Sequence, residues 1–100
     1  MKLENIKTID VQTKEWFDKV NGNSYFASII TLNFGMPDEV ELRNKFQYGY
    51  ETQHEYQAAE AISKHIGLSE VKLLRYFRDD HGVKVNVSKR PAKMTAVKAI

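Results

Sequence analysis

Cysteine is absent from these 100 residues. Disulfides, thiolate zinc sites, iron–sulfur clusters and cysteine nucleophiles are therefore excluded together. The lack fits a reducing compartment. No run approaches the roughly 20 apolar residues that cross a bilayer. Met1-Lys2-Leu3-Glu4-Asn5 offers no apolar signal region, so a cytoplasmic protein without a membrane partner is expected. Proline occurs twice and glycine five times, with no linker rich in either. One domain spanning 1–100 is the natural reading at this length. Carboxylates are missing from the final stretch, Gly82 to Ile100, which nevertheless carries Lys84, Lys89, Arg90, Lys93 and Lys98. Met1 to His81 holds ten basic and thirteen acidic residues, so a body of −3 joins a tail of +5 to give the net +2. A local field of that kind attracts phosphate or an acidic surface whatever the total charge.

What is present is ordinary for a globular chain, with 42% hydrophobic and 28% charged residues. Ile6 to Val11 alternates like a short strand. Thr13 to Gly22 reads as a short helix, because Trp16 and Phe17 are adjacent while Trp16 and Val20 sit four apart. The rival reading makes Asn21-Gly22 a hairpin turn. Asn23 to Phe34 is the clearest strand, rich in aromatic and β-branched residues. Gly35-Met36-Pro37-Asp38 is a turn cluster. A return strand is expected over 39–50, with a bulge or kink at Arg43-Asn44-Lys45.

Thr52-Gln53-His54-Glu55 has the form of a capping box. Tyr56, Ala59, Ile62, Ser63 and Ile66 follow at helical spacing, so a helix is predicted over 53–66. A second, with Ser69 as its cap, is predicted over 70–80. Val83, Val85 and Val87 alternate with Lys84, Asn86 and Ser88 in a final strand. The segment after Pro91 fits a helix or an added strand equally. The expected fold class is α+β: a mainly antiparallel sheet around a long hairpin (about 23–50), packed on one face against two helices (about 53–66 and 70–80), with a basic C-terminal segment. Ile29, Leu32, Ile62, Ile66, Leu74 and Phe77 are the expected core.

The run Glu15-Trp16-Phe17-Asp18-Lys19-Val20-Asn21-Gly22-Asn23-Ser24-Tyr25-Phe26, with the later Phe46-Gln47-Tyr48-Gly49-Tyr50, resembles a group of small uncharacterised bacteriophage-encoded proteins. The likeness covers about half the chain. It implies expression in a bacterial host, and a protein that binds host machinery, including defence systems. Ser88-Lys89-Arg90-Pro91-Ala92-Lys93 with Ala96, Val97, Ala99 and Ile100 looks like the last helix of double-stranded-RNA-binding domains. The Gly-Pro-x-His loop of that family is missing, and a helix rather than three strands lies ahead of the segment.

Three sets of residues carry chemistry. Lys84, Lys89, Arg90 and Lys93 are candidate nucleic-acid contacts, against the plain alternative of a solvated tail. Stacking aromatics normally accompany such a strip, and the tail has none. Tyr48 and Tyr50 share a strand face and are candidate partner-binding rings, although most such aromatics serve as core and cross-strand pairs. His54 and His65 stand three helical turns apart, too far for one metal. Asp79-Asp80-His81 lacks a third distant ligand. Pro37-Asp38 and Glu70-Val71-Lys72 mimic a nuclease signature, but Glu70 and Lys72 would open a helix rather than flank a sheet bend. No Ser/His/Asp set, Walker loop or dinucleotide fingerprint exists. The expectation is a non-catalytic protein with no metal and no cofactor that binds a host protein or complex, or alternatively nucleic acid. A monomer fits, and so does a homodimer paired along an open strand edge.

Overall fold

A computed structural model describes all residues, 1–100. A 3₁₀ turn at Leu3–Asn5 leads into β1 (Thr8–Asp18), β2 (Asn23–Leu32) and β3 (Val40–Tyr48). Helix α1 (Gln53–His65) and helix α2 (Leu74–His81) follow, then β4 (Lys84–Pro91) and a short helix α3 (Met94–Lys98). The class is α+β, and the sheet is mixed: its order is β3-β2-β1-β4, with β4 parallel to β1 and the other pairs antiparallel. A parallel β4 follows from the route of the chain, since α1 and α2 carry it back across one face before it re-enters beside β1.

The helix expected over Thr13 to Gly22 is instead the second half of β1 and a hairpin turn. Trp16 and Phe17 are adjacent because the sheet has two faces. Trp16 pairs with Tyr25 on one face while Phe17, half-exposed, points from the other. Asp18 closes the turn: its carboxylate accepts from the main-chain N–H of Val20 (3.0 Å) and from the Asn21 side chain (2.8 Å). Gly22 occupies the left-handed region at φ 69°. These hydrogen bonds, the Asn21 amide foremost, hold the Asp18 carboxyl below its usual range.

A register shift between Phe26 and Ser28 sets Lys45 and Phe46 of β3 against the single residue Ala27 of β2, so a bulge is present but at Lys45-Phe46, while Arg43 and Asn44 pair regularly. Asn33 is fully buried at φ 55° and pins the end of β2. Its Oδ1 accepts from Lys7 N (2.7 Å), and its amide donates to Asn5 O (2.8 Å) and Asp38 Oδ2 (3.1 Å).

One helix cap and one helix boundary differ from expectation. Thr52 precedes α1, but its side chain caps nothing. The second helix begins at Leu74 rather than near 70, with no role for Ser69 as a cap. Ser63 Oγ instead accepts from Lys72 N (3.0 Å), which holds the segment ahead of Leu73 against α1 in a non-helical form. Residues 88–91, likened above to a helix, complete β4, and the tail becomes helical only from Met94.

Both sheet faces are covered. On one, Ile9, Val11, Ile30 and Leu32 meet Ala58, Ala59 and Ile62 of α1 and Leu74 and Phe77 of α2 in the main core. On the other, α3 forms a smaller cluster in which Ala27, Val97 and Ile100 are buried, with Trp16, Ile29 and Phe46 packed against it. Of the expected core residues, Leu32, Ile62, Leu74 and Phe77 are buried; Ile29 and Ile66 are only partly so. Ile29 belongs to the α3 face.

Candidate functional site

The alternation of β1, β2 and β3 sends one set of aromatic side chains to the α3 face. Hairpin register sets Trp16 beside Tyr25, and the β2–β3 pairing sets Tyr25 beside Tyr48. The rings form a continuous row. Trp16 stacks on Tyr25 at 5.7 Å between centroids, and Tyr25 stacks on Phe46 at 5.0 Å. Tyr48 meets Tyr25 edge-on at 5.8 Å and Tyr50 edge-on at 5.1 Å. Such geometry adds about 0.5–1.5 kcal/mol per pair beyond burial. It also holds the rings in fixed orientations relative to one another.

Tyr48 is 54% exposed and Tyr50 43%. Both candidate rings are therefore accessible, and they touch each other. The Tyr50 hydroxyl donates to Gly22 O at 3.2 Å, tying the row to the β1–β2 turn. The neighbouring Tyr48 hydroxyl, and after it desolvation, raises the Tyr50 phenol above its usual range. It is therefore a neutral group at physiological pH.

The four basic residues singled out in the sequence are dispersed. Lys89 lies on the α1 side, where its ammonium meets Glu15 (3.4 Å) and donates to Glu51 O (2.9 Å). Lys84 and Arg90 are on the α3 face, but six residues of strand, about 20 Å, separate them. Lys93 stands immediately before α3. Asn86 and Ser88 share the face of Lys84 and Arg90, as their alternation with the valines requires. Asn86 donates to Asp10 at 3.1 Å.

Two further cations, Lys98 and Lys14, are not among the candidates from the sequence. Lys98 of α3 sits over the Phe46 ring at 5.2 Å, a cation–π contact. Lys14 faces Arg90 across the β1–β4 pairing. The absence of aromatics in the tail therefore does not describe the surface, because the fold supplies rings from β1, β2 and β3 to the face on which the tail lies. Residue parity along each strand held this signal, but only for a reader who already knew the β1–β2 turn.

No three His, Asp or Glu side chains gather as a metal site would need. Asp38 takes the Asn33 amide, while Glu70 pairs with Lys72 at 2.7 Å and Asp79 with Arg78 at 2.9 Å. Those two pairings lower both carboxyls. No helix is long and apolar enough to cross a membrane. Comparison with known proteins returns no matching family model, no similar curated protein and no similar solved structure.

Proposed function

We propose that this chain is a non-catalytic accessory protein, of the phage-encoded kind that its sequence resembles, and that it docks on a host protein or complex through the aromatic row. The carrying observation is the exposure of Tyr48 and Tyr50 at the open end of a pre-stacked series of rings. Tyrosine and tryptophan are the residues on which protein interfaces concentrate their binding energy. The resemblance adds the setting, the inside of a bacterial host, and a consequence of docking: interference with a defence complex.

The test is capture from host lysate on the immobilised protein. Wild type should retain one stoichiometric partner, and a Tyr48→Ala, Tyr50→Ala double variant with an unchanged circular dichroism spectrum should lose it. Equal recovery by the variant would sink the assignment of these rings.

A second reading, binding of single-stranded nucleic acid, is favoured by Lys14, Arg90 and Lys98 sharing a sheet face with the rings. Neutralising about three phosphates there predicts a log–log salt slope of about −2. A protein partner held by the rings would show little salt dependence.

A further inference from the structure

We propose that Lys14, Gln12, Ser88 and Arg90 form a slot for a single phosphate group on the α3 face, between β1, β4 and the last residues of the chain. This goes beyond the ring-docking reading and stands if the rings bind nothing. The slot begins with the register of the parallel pair, which places Gln12 opposite Ser88 and Lys14 opposite Arg90. Neighbouring strands lie only about 4.8 Å apart, and like charges facing each other across them are destabilising. Elsewhere on this face the chain avoids that cost. Arg43 pairs with Glu41 at 2.9 Å, Lys45 donates to Ile100 O at 2.6 Å, and Asn86 meets Asp10. Lys14 and Arg90 take part in none of the five ion pairs of the chain. Lys14 is half-buried as well, its stem lying along the sheet while the ammonium has no carboxylate partner.

The two cations open onto a recess of about 160 Å³, walled on its apolar side by Ile29 and Ile100. That is well below the roughly 300–1,000 Å³ of pockets that enclose whole drug-sized ligands. It suits one small, doubly liganded group. A guanidinium gives the forked donors that phosphate oxygens accept, an ammonium adds a point charge, and the Gln12 amide adds a neutral donor. The phosphate can belong to a free phosphate or monoester, or to a phosphodiester backbone.

Amide chemical shifts of the full chain, titrated with inorganic phosphate and separately with a short oligothymidylate lacking terminal phosphates, decide the matter. Saturating shifts confined to residues 12–14 and 88–90, appearing in the millimolar range or below, are expected with at least one probe. Phosphate alone acting identifies a free phosphate or monoester; the oligonucleotide alone acting identifies a diester. Lys14→Met should weaken binding about tenfold, the equivalent of one charge-assisted hydrogen bond. It should leave the thermal midpoint unchanged or higher, because a cross-strand repulsion is removed. Arg90→Ala, on an exposed edge position, should weaken binding similarly and serves if Lys14→Met folds poorly. The proposal is overturned if neither probe shifts these amides, or if both variants bind as wild type does.

Discussion

Gly49 shows how a single residue without a side chain can hold a surface in place. It lies between Tyr48 and Tyr50, and its N–H donates to Ser24 O at 3.1 Å. A Cβ there would stand 2.6 Å from Phe26 Cε1 and 2.9 Å from Gln53 Cγ. Phe26 is 2% exposed and cannot retreat, so the added methyl must push the chain between the two tyrosines outward. Overpacking of this kind costs about 1–3 kcal/mol. Gly49→Ala should therefore lower the thermal midpoint by several degrees, at about 4–8 °C per kcal/mol for a domain of this size. It should also disturb the Tyr48–Tyr50 contact, read as a change in tyrosine near-ultraviolet dichroism. An unaltered midpoint would mean that the chain yields freely there and that the rings are less firmly set than the packing implies.

At the scale of elements, the long hairpin, its bulge, α1 and the first part of β4 are legible, because each rests on short-range periodicity; residues 88–91, which end β4, are not. The β1–β2 turn is hidden for a local reason: adjacent Trp16 and Phe17 violate alternation only if one face is dry and the other wet, and here the outward face carries its own aromatic row. The start of α2 was hidden because it depends on Ser63, a residue of another helix. The site was half legible. Tyr48 and Tyr50 could be named from their spacing, whereas Lys14 opposite Arg90 required knowledge that β4 returns parallel to β1.

The seat of α1 on the sheet carries a pH dependence. His54, in the first turn of α1, is 6% exposed and lies edge-on to Phe26 at 6.4 Å. Burial depresses its pKa below 6.5, and the charge of Lys89 depresses it further, against smaller opposing effects from Glu55, Glu15 and a hydrogen bond with the Glu51 main chain. The unfolded chain thus takes up this proton first as pH falls. The stability associated with neutral His54 is present above the unfolded pKa, is lost as pH falls through the folded pKa, and levels off below it. Urea midpoints measured from about pH 7 down to about pH 5 should fall. In His54→Gln the fall should be shallower, and equal slopes in the two proteins would assign the dependence to other groups.

For the molecule as a whole, the division of apolar contacts into two unequal clusters sets an order of stability. Eleven buried residues join β1, β2, α1 and α2 on one face, while three hold α3 to the other. A helix of five residues has little stability of its own. Its anchors are Val97, Ile100 and the bonds from Arg43 and Lys45 to Ile100 O. Local opening of α3 alone should therefore cost much less than global unfolding. Native-state hydrogen exchange should show the Val97 and Ala99 amides exchanging through a low-energy opening, well before those of Val11 and Ile30 in the central strands. Such an opening bares Ala27, Ile29 and more of Phe46, lengthening the ring row toward the middle of the sheet and freeing Lys98 from its ring. If instead the α3 amides exchange only with the central strands, the two faces form one cooperative unit, and the ring surface keeps the single extent seen in the closed form.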